Sequence, residues 1–285
     1  MPDLKAVESH FRFGENWASF ARMLTPRRID KATTCLKTLV PEGLDGKSFL
    51  DIGSGSGLSA LAAANIGAGQ IIACDIDPDS VRTTEMVLSQ HSANRNFTTR
   101  LLSVFDMNTQ DLGHFDVVHS WGVLHHTGSM WEAVGKASDL VKPDGLLILA
   151  LYLKTPFCGL WRVEKRFYTK APRAIQNVLF HAFRTVARLY ILARGGSPAK
   201  VWAEYEAERG MDQDHDIRDW LGGYPYESAS PEEVDSFLAP RGFQKIRAFN
   251  TKPRSGLMGT GCAEFVYRRS VAEAAAPARE QVAAA

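Results

Sequence analysis

Apolar runs and helix-spaced apolar positions alternate along most of the chain. Phe49-Leu50-Asp51-Ile52 is a short apolar run broken only by Asp51, and Leu58 to Ala64 behind Gly57 reads as the first turns of a helix. Gln70 to Cys74 is a second apolar run, ending in Asp75 and Asp77, with Pro78 suited to a first helical turn and Asp77 to its cap. Thr98 to Val104, Phe115 to Trp121 and Leu146 to Tyr152 give three further strands, the last preceded by a turn at Lys142-Pro143-Asp144-Gly145. Strands alternating with helices predict an α/β fold with a parallel, doubly wound sheet. Upstream, Trp17, Phe20, Met23 and Leu24 have helical spacing, as do Leu36, Leu39 and Val40 before Pro41. Downstream, Ser230-Pro231-Glu232-Glu233 caps a helix through Leu238, and Gly242–Phe249 and Cys262–Arg268 read as a hairpin.

The first strand runs into glycines at alternate positions, Gly53, Gly55 and Gly57, and then into a helix. That layout is a nucleotide-binding corner, where glycines admit positive φ and close approach of a ligand to the main chain. The dinucleotide pattern G-x-G-x-x-G requires glycine where Leu58 stands. Asp51, just before the loop, would also repel a pyrophosphate; both features disfavour a nicotinamide-dependent dehydrogenase. A carboxylate there suits a ligand with a positive group, such as an amino-acid ammonium.

Asp51-Ile52-Gly53-Ser54-Gly55-Ser56-Gly57 resembles the glycine motif of class I S-adenosylmethionine (SAM)-dependent methyltransferases. Phe115 to His126 resembles that family's fourth-strand motif, and Leu140 to Tyr152 its fifth strand. The resemblance covers residues 46–153 well and 231–269 in outline. It implies a Rossmann-like, mostly parallel seven-stranded sheet ending in an antiparallel hairpin, with SAM as methyl donor and S-adenosylhomocysteine as product. It places Asp51, Gly53, Ser54, Gly55 and Gly57 around the donor, Asp75 with Ile76 at the ribose, and Asp106 at the adenine amine between Val104 and Phe105. Ser120 and Trp121, at the end of the fourth strand, face the donor. Phe13 and Trp17 either cover the donor and face its sulfonium by cation–π attraction or only pack a helix on the sheet edge. All the acids fall at the carboxyl ends of strands, where such sheets bind ligands.

The organisation that follows is a helical cap over 1–45, a donor-binding core over 46–153, a helical insertion or lid over 154–230, a helix and hairpin over 231–270, and a tail over 271–285. The insertion is basic in its first half, from Arg162, Lys165 and Arg166 to Lys200, and acidic in its second. Val178, Leu179, Phe183, Val186, Tyr190 and Ile191 put an apolar face on a basic helix, readable as an ordinary bundle helix or as a contact with a membrane surface. Gly210 to Glu227 reads as a polar, aromatic loop. It resembles a substrate-facing segment of small-molecule methyltransferases near the ubiquinone-biosynthesis O-methyltransferases, which makes Asp216, Asp219, Trp220, Tyr224 and Tyr226 the acceptor-pocket candidates. The segment from Asn250 to Gly261 is placed to close over the site.

The formal net charge of the 285 residues is +1, which gives no pull toward nucleic acid. Cys35, Cys74, Cys158 and Cys262 are scattered, with no metal-site spacing. Met1 to Glu8 hold no apolar signal core, and the longest apolar run, Leu146 to Leu153, is too short to span a bilayer. These features predict a cytoplasmic protein with no metal. The implied reaction is SN2 transfer of the SAM methyl to an O or N atom of a small-molecule acceptor. A base is required only where the acceptor carries a proton at attack, and His126, His125 and His215 are the candidates. The alternatives are an RNA or protein methyltransferase docking through the basic insertion, or a SAM-binding protein without catalysis. Oligomeric state is left open.

Overall fold

The computed structural model describes residues 13–209, 212–252 and 261–271. Helices α1 (Phe13–Ala21) and α2 (Pro26–Leu39) precede β1 (Ser48–Ile52). Then come α3 (Leu58–Asn65), β2 (Gln70–Asp75), α4 (Pro78–His91), β3 (Phe97–Leu101), α5 (Thr109–Leu112), β4 (Phe115–Trp121), α6 (Met130–Asp139) and β5 (Val141–Tyr152). Four helices follow: α7 (Cys158–Lys170), α8 (Arg173–Ala193), α9 (Pro198–Arg209) and α10 (Gln213–Gly222). The chain closes with α11 (Pro231–Leu238), β6 (Phe243–Phe249) and β7 (Cys262–Arg269).

The sheet has seven strands in the order β3-β2-β1-β4-β5-β7-β6. The first five are parallel, and β7 runs antiparallel to both β5 and β6. This is the Rossmann-like, mostly parallel sheet with a terminal hairpin that the sequence implied. Strand order reverses between β1 and β4, so loops leaving those two strands diverge and open a crevice at their carboxyl ends.

Alternate residues of one strand feed opposite faces. Leu50, Val118, Leu147, Leu149 and Phe265 pack on one side against Met130 and Val134 of α6 and Val234 and Leu238 of α11. Phe49, Val117, Ile148 and Val266 pack on the other against Leu36 and Leu39 of α2 and Leu61 of α3. Each fully buried side chain of this size contributes about 1.5–3 kcal/mol relative to exposure. The expected caps are present. Asp77 accepts from the Asp79 amide at the start of α4, and Ser230 and Glu233 form a reciprocal capping box on α11.

Several segments differ from the sequence reading. The third strand ends at Leu101 rather than Val104, and Val104–Asp106 is a 3-10 turn capped by the Ser103 hydroxyl. Lys142 to Gly145 does not precede β5 but lies within it. Pairing with β4 jumps from Phe115↔Val141 to Val117↔Leu146, and Asp144 takes φ 61°, so the turn is a bulge. From 213 to 222 the expected loop is α10. Asp212 caps it by accepting from the His215 amide, and Ile217 and Leu221, four apart, bury on one face.

Those two residues join Tyr168 of α7 and Phe180 of α8 in a third apolar cluster, separate from the sheet cores. The apolar residues expected on one face of α8 are divided. Leu179 and Phe183 pack on this cluster, whereas Val178, Val186 and Tyr190 are exposed. Lys165 belongs to no solvated basic face: it is fully buried. Among the described residues no helix is long and apolar enough to cross a membrane. The N-terminal residues 1–12, Gly210-Met211, most of the segment expected to close over the site (253–260) and the tail from 272 lie outside the described residues.

Candidate functional site

The end of β1, the glycine loop and the end of β2 form one hydrogen-bonded unit. The Gly55 amide donates to Asp75 Oδ2 at 2.9 Å, and the Asp77 amide donates to Asp75 Oδ1 at 2.9 Å. Gly53 and Gly57 both have φ +76°, and a Cβ on Gly53 would stand 2.4 Å from the Val123 side chain. Glycine is therefore required by backbone angle and by space. Ser54 is buried, and its hydroxyl accepts from Thr84 Oγ1 at 2.9 Å. Burial pushes Asp75 up to about 6 against its two amide donors, and the like charges of Asp77 and Asp51 add to the rise.

Asp51 is 2% exposed and meets His119 Nδ1 through Oδ1 at 2.8 Å. Its other oxygen, Oδ2, is buried with no hydrogen-bond partner among the described residues. Helix α1 lies over this rim. The Gly14 amide donates to Asp77 Oδ2 at 3.1 Å, and the Trp17 ring stands 3.2 Å from where a Gly55 Cβ would be. Phe13 instead reaches the His126 ring, centroids 5.4 Å apart.

The other donor candidates divide. Trp121 is half-buried and stacks on His119 at 6.0 Å. Ser120 is fully buried, and its hydroxyl donates to the Ile52 carbonyl at 3.0 Å, which ties β4 to the base of the loop. Ile76 is half-buried, as is Phe105, and Val104 is buried. Asp106 is exposed and lines an open groove of about 580 Å³ with Arg100, Met107 and Asp111. That groove sits at the tip of β3, and no histidine lines it.

A second group gathers at the end of β5. Tyr152 contacts His125 at 3.9 Å, His126 at 5.2 Å, Trp220 at 5.3 Å and Tyr226 at 5.4 Å between ring centroids. His126 Nδ1 lies 2.7 Å from the Pro225 carbonyl, which can only accept, so a ring proton is assigned to Nδ1. His125 is fully buried and accepts from the Tyr152 amide at 3.3 Å. Burial, then the neighbouring His126 and Lys165, hold it well below the usual histidine range, so it is neutral. His215 is taken up elsewhere: its ring is 2.6 Å from Asp212 Oδ1 and packs edge-on against Phe20 of α1.

Lys165, which the sequence did not single out, donates to the Trp220 carbonyl and sits 3.3 Å over the Trp220 ring. Burial holds its pKa down, with Glu164 and Asp219 opposing. Asp219 is pushed up to about 8 by burial, then by Asp216, with Lys165 opposing. Tyr224 is half-buried beside this group, and Tyr226 is buried, its hydroxyl donating to Cys158 Sγ at 3.4 Å. The glycine-loop rim and the aromatic group are bridged by α1, Trp17 on one and Phe13 on the other.

Clustered carboxylates, one with an unmatched buried oxygen, and glycines that admit main-chain contact suit a ligand carrying cationic groups and ribose hydroxyls. The comparisons agree. Residues 50–147 match the family described as "Methyltransferase domain". A ribosomal protein L11 methyltransferase of Tolumonas auensis is 30% identical over 138 residues, 48% of this chain and 45% of the relative. A ubiquinone biosynthesis O-methyltransferase of Xanthomonas campestris pv. campestris is 32% identical over 133 residues, 47% and 52% of the two chains. These matches span about half the length of the curated relatives.

Among solved structures, PKMT2 of Rickettsia typhi in complex with AdoHcy superposes with a TM-score of 0.55 at 12% identity, covering 86% of this chain and 53% of that one. Magnesium protoporphyrin IX methyltransferase of Synechocystis PCC 6803 with bound SAH gives 0.50 at 15% identity, covering 85% and 81%. Residues 50–147 therefore match a methyltransferase domain and lie in a Rossmann-like sheet.

Proposed function

We propose that the chain transfers the methyl group of SAM to an oxygen or nitrogen atom of a small-molecule acceptor. The observation that carries the donor half is the meeting of Asp51, the Gly53–Gly57 loop and Asp75 on one rim of the sheet. When bound, SAM supplies an electrophilic methyl on a sulfonium, itself a good leaving group. The chain's task is then to align donor and acceptor and keep water out. In this reading Asp75 takes the ribose hydroxyls with Ile76 beside it, Asp51 the amino-acid ammonium, and Asp106 the adenine amine between Val104 and Phe105. Trp121 borders the donor, Ser120 holds the loop's base, and Phe13 and Trp17 cover the site from α1.

Tyr152, Trp220 and Tyr226 shape the acceptor end, with Asp216, Asp219 and Tyr224 at its margin. His126 Nε2 accepts a proton from an acceptor hydroxyl or amine, and His125 backs it. His215 has the lesser claim to act as base because Asp212 engages its ring. An enclosed aromatic group favours a small acceptor over a macromolecule, and the reading carries with it a cytoplasmic setting. A protein acceptor is the second reading, supported by the similarity to ribosomal protein L11 methyltransferases.

Incubation of cell extract with methyl-labelled SAM, followed by fractionation, separates the readings. Label in the small-molecule fraction supports the proposal. Label confined to protein or RNA overturns the acceptor class. Tight donor binding with no label in any fraction overturns catalysis.

A further inference from the structure

Asp51 and His119 face each other across neighbouring parallel strands, as register partners of β1 and β4. Both are 2% exposed. His119 lies between the Phe49 ring at 5.5 Å and the Trp121 ring at 6.0 Å, which fixes its plane. Its Nδ1 meets Asp51 Oδ1 at 2.8 Å, so that oxygen is matched. Oδ2 is not: it is buried with no hydrogen-bond partner among the described residues. A buried carboxylate with half its acceptor capacity unmatched is costly unless a donor arrives from outside the chain. Asp51 stands two residues before the first loop glycine, and its charge is felt at Asp75 across the loop.

We propose that His119 is a positioning residue: it clamps one oxygen of Asp51 so that the other is held for the amino-acid ammonium of the methyl donor. The inference rests on the donor reading above and adds a residue to it. His119 touches neither donor nor acceptor; it acts through Asp51. A histidine serving only to fill the sheet would affect every ligand and the fold alike. A positioning histidine affects only ligands that carry the ammonium.

The test compares two ligands by calorimetry. S-adenosylhomocysteine has the amino-acid arm; 5′-methylthioadenosine shares the adenosine and thioether but lacks that arm. With wild type, S-adenosylhomocysteine is expected to bind more tightly. His119→Leu should lose at least tenfold for S-adenosylhomocysteine and less than about twofold for methylthioadenosine, since charge-assisted bonds are the strong ones. His119→Asn, whose side-chain amide can stand in for the Nδ1 donor, should recover most of the loss. Should His119→Leu not fold, His119→Phe, which keeps a ring against Phe49 and Trp121 but has no Nδ1 donor, carries the test, with the same selective tenfold loss expected.

Equal losses for both ligands, or no loss for either, would overturn the positioning role while leaving the donor reading standing. Failure of wild type to bind either ligand would overturn the donor reading and this inference with it.

Discussion

The amide of Gly55 donates to the carboxylate of Asp75 at 2.9 Å, so the loop after the first strand is tied to the tip of the second. Anything that displaces the loop also misdirects the acid.

Gly55→Val tests that linkage. Gly55 has φ +52°, and its Cβ would stand 3.2 Å from the Trp17 ring, so a branched side chain meets both strain and α1. S-adenosylhomocysteine binding is expected to vanish in calorimetry, as it should in Asp75→Ala. Gly113→Ala is the control. It shares a positive φ of +74° but has nothing within 4 Å, so it should cost about 1–3 kcal/mol of stability through backbone strain alone and leave binding unchanged.

Donor affinity should depend on pH through Asp75. Its carboxyl is raised in the folded chain from 3.8 to about 6, so the protonated form is favoured there and its ionisation becomes a cost as pH rises through that window. The ribose hydroxyls donate to the ionised form, which is acceptor-only. The Kd for SAM should therefore fall as pH rises from about 4 to about 6 and level off above, and Asp75→Asn should flatten the profile. A profile unchanged in Asp75→Asn would show that another group governs it.

His126→Gln should lower kcat on the acceptor found by the label-transfer screen about a hundredfold or more, the usual loss for a general base. The Kd for S-adenosylhomocysteine should stay near the wild-type value, because the ring sits in the group around Tyr152 and not on the glycine loop. Unchanged kcat would remove His126 from the chemistry.

Ser230→Ala removes the donor–acceptor exchange with Glu233 at the start of α11. The expected loss is about 1 kcal/mol, or a Tm lower by about 2–4 °C in calorimetry. Donor affinity should not change.

Most of the sheet was legible because β1, β2, β4 and β5 are largely buried apolar runs ended by a turn signal or an acid, and the glycine motif announces its own backbone angles. The acids Asp51 and Asp75 were legible for the same reason: strand ends are visible in sequence. What was hidden depends on pairing. The bulge in β5 exists only against β4, and the Asp51–His119 contact exists only through the register of β1 with β4. Lys165 looked like one more charge in a basic row, yet α10 covers it with Trp220. Helix α10 carried its signals in plain view: an Asp cap at Asp212 and apolar Ile217 and Leu221 four residues apart. Its density of functional groups drew the reading toward a loop instead.

Helices α7, α8 and α10 close on Tyr168, Phe180, Ile217 and Leu221, a nucleus of their own rather than an extension of either sheet layer. Selection can therefore rebuild that module without disturbing the strands of the parallel sheet. Divergence within such a lineage should concentrate between residues 154 and 230 and spare the glycine corner.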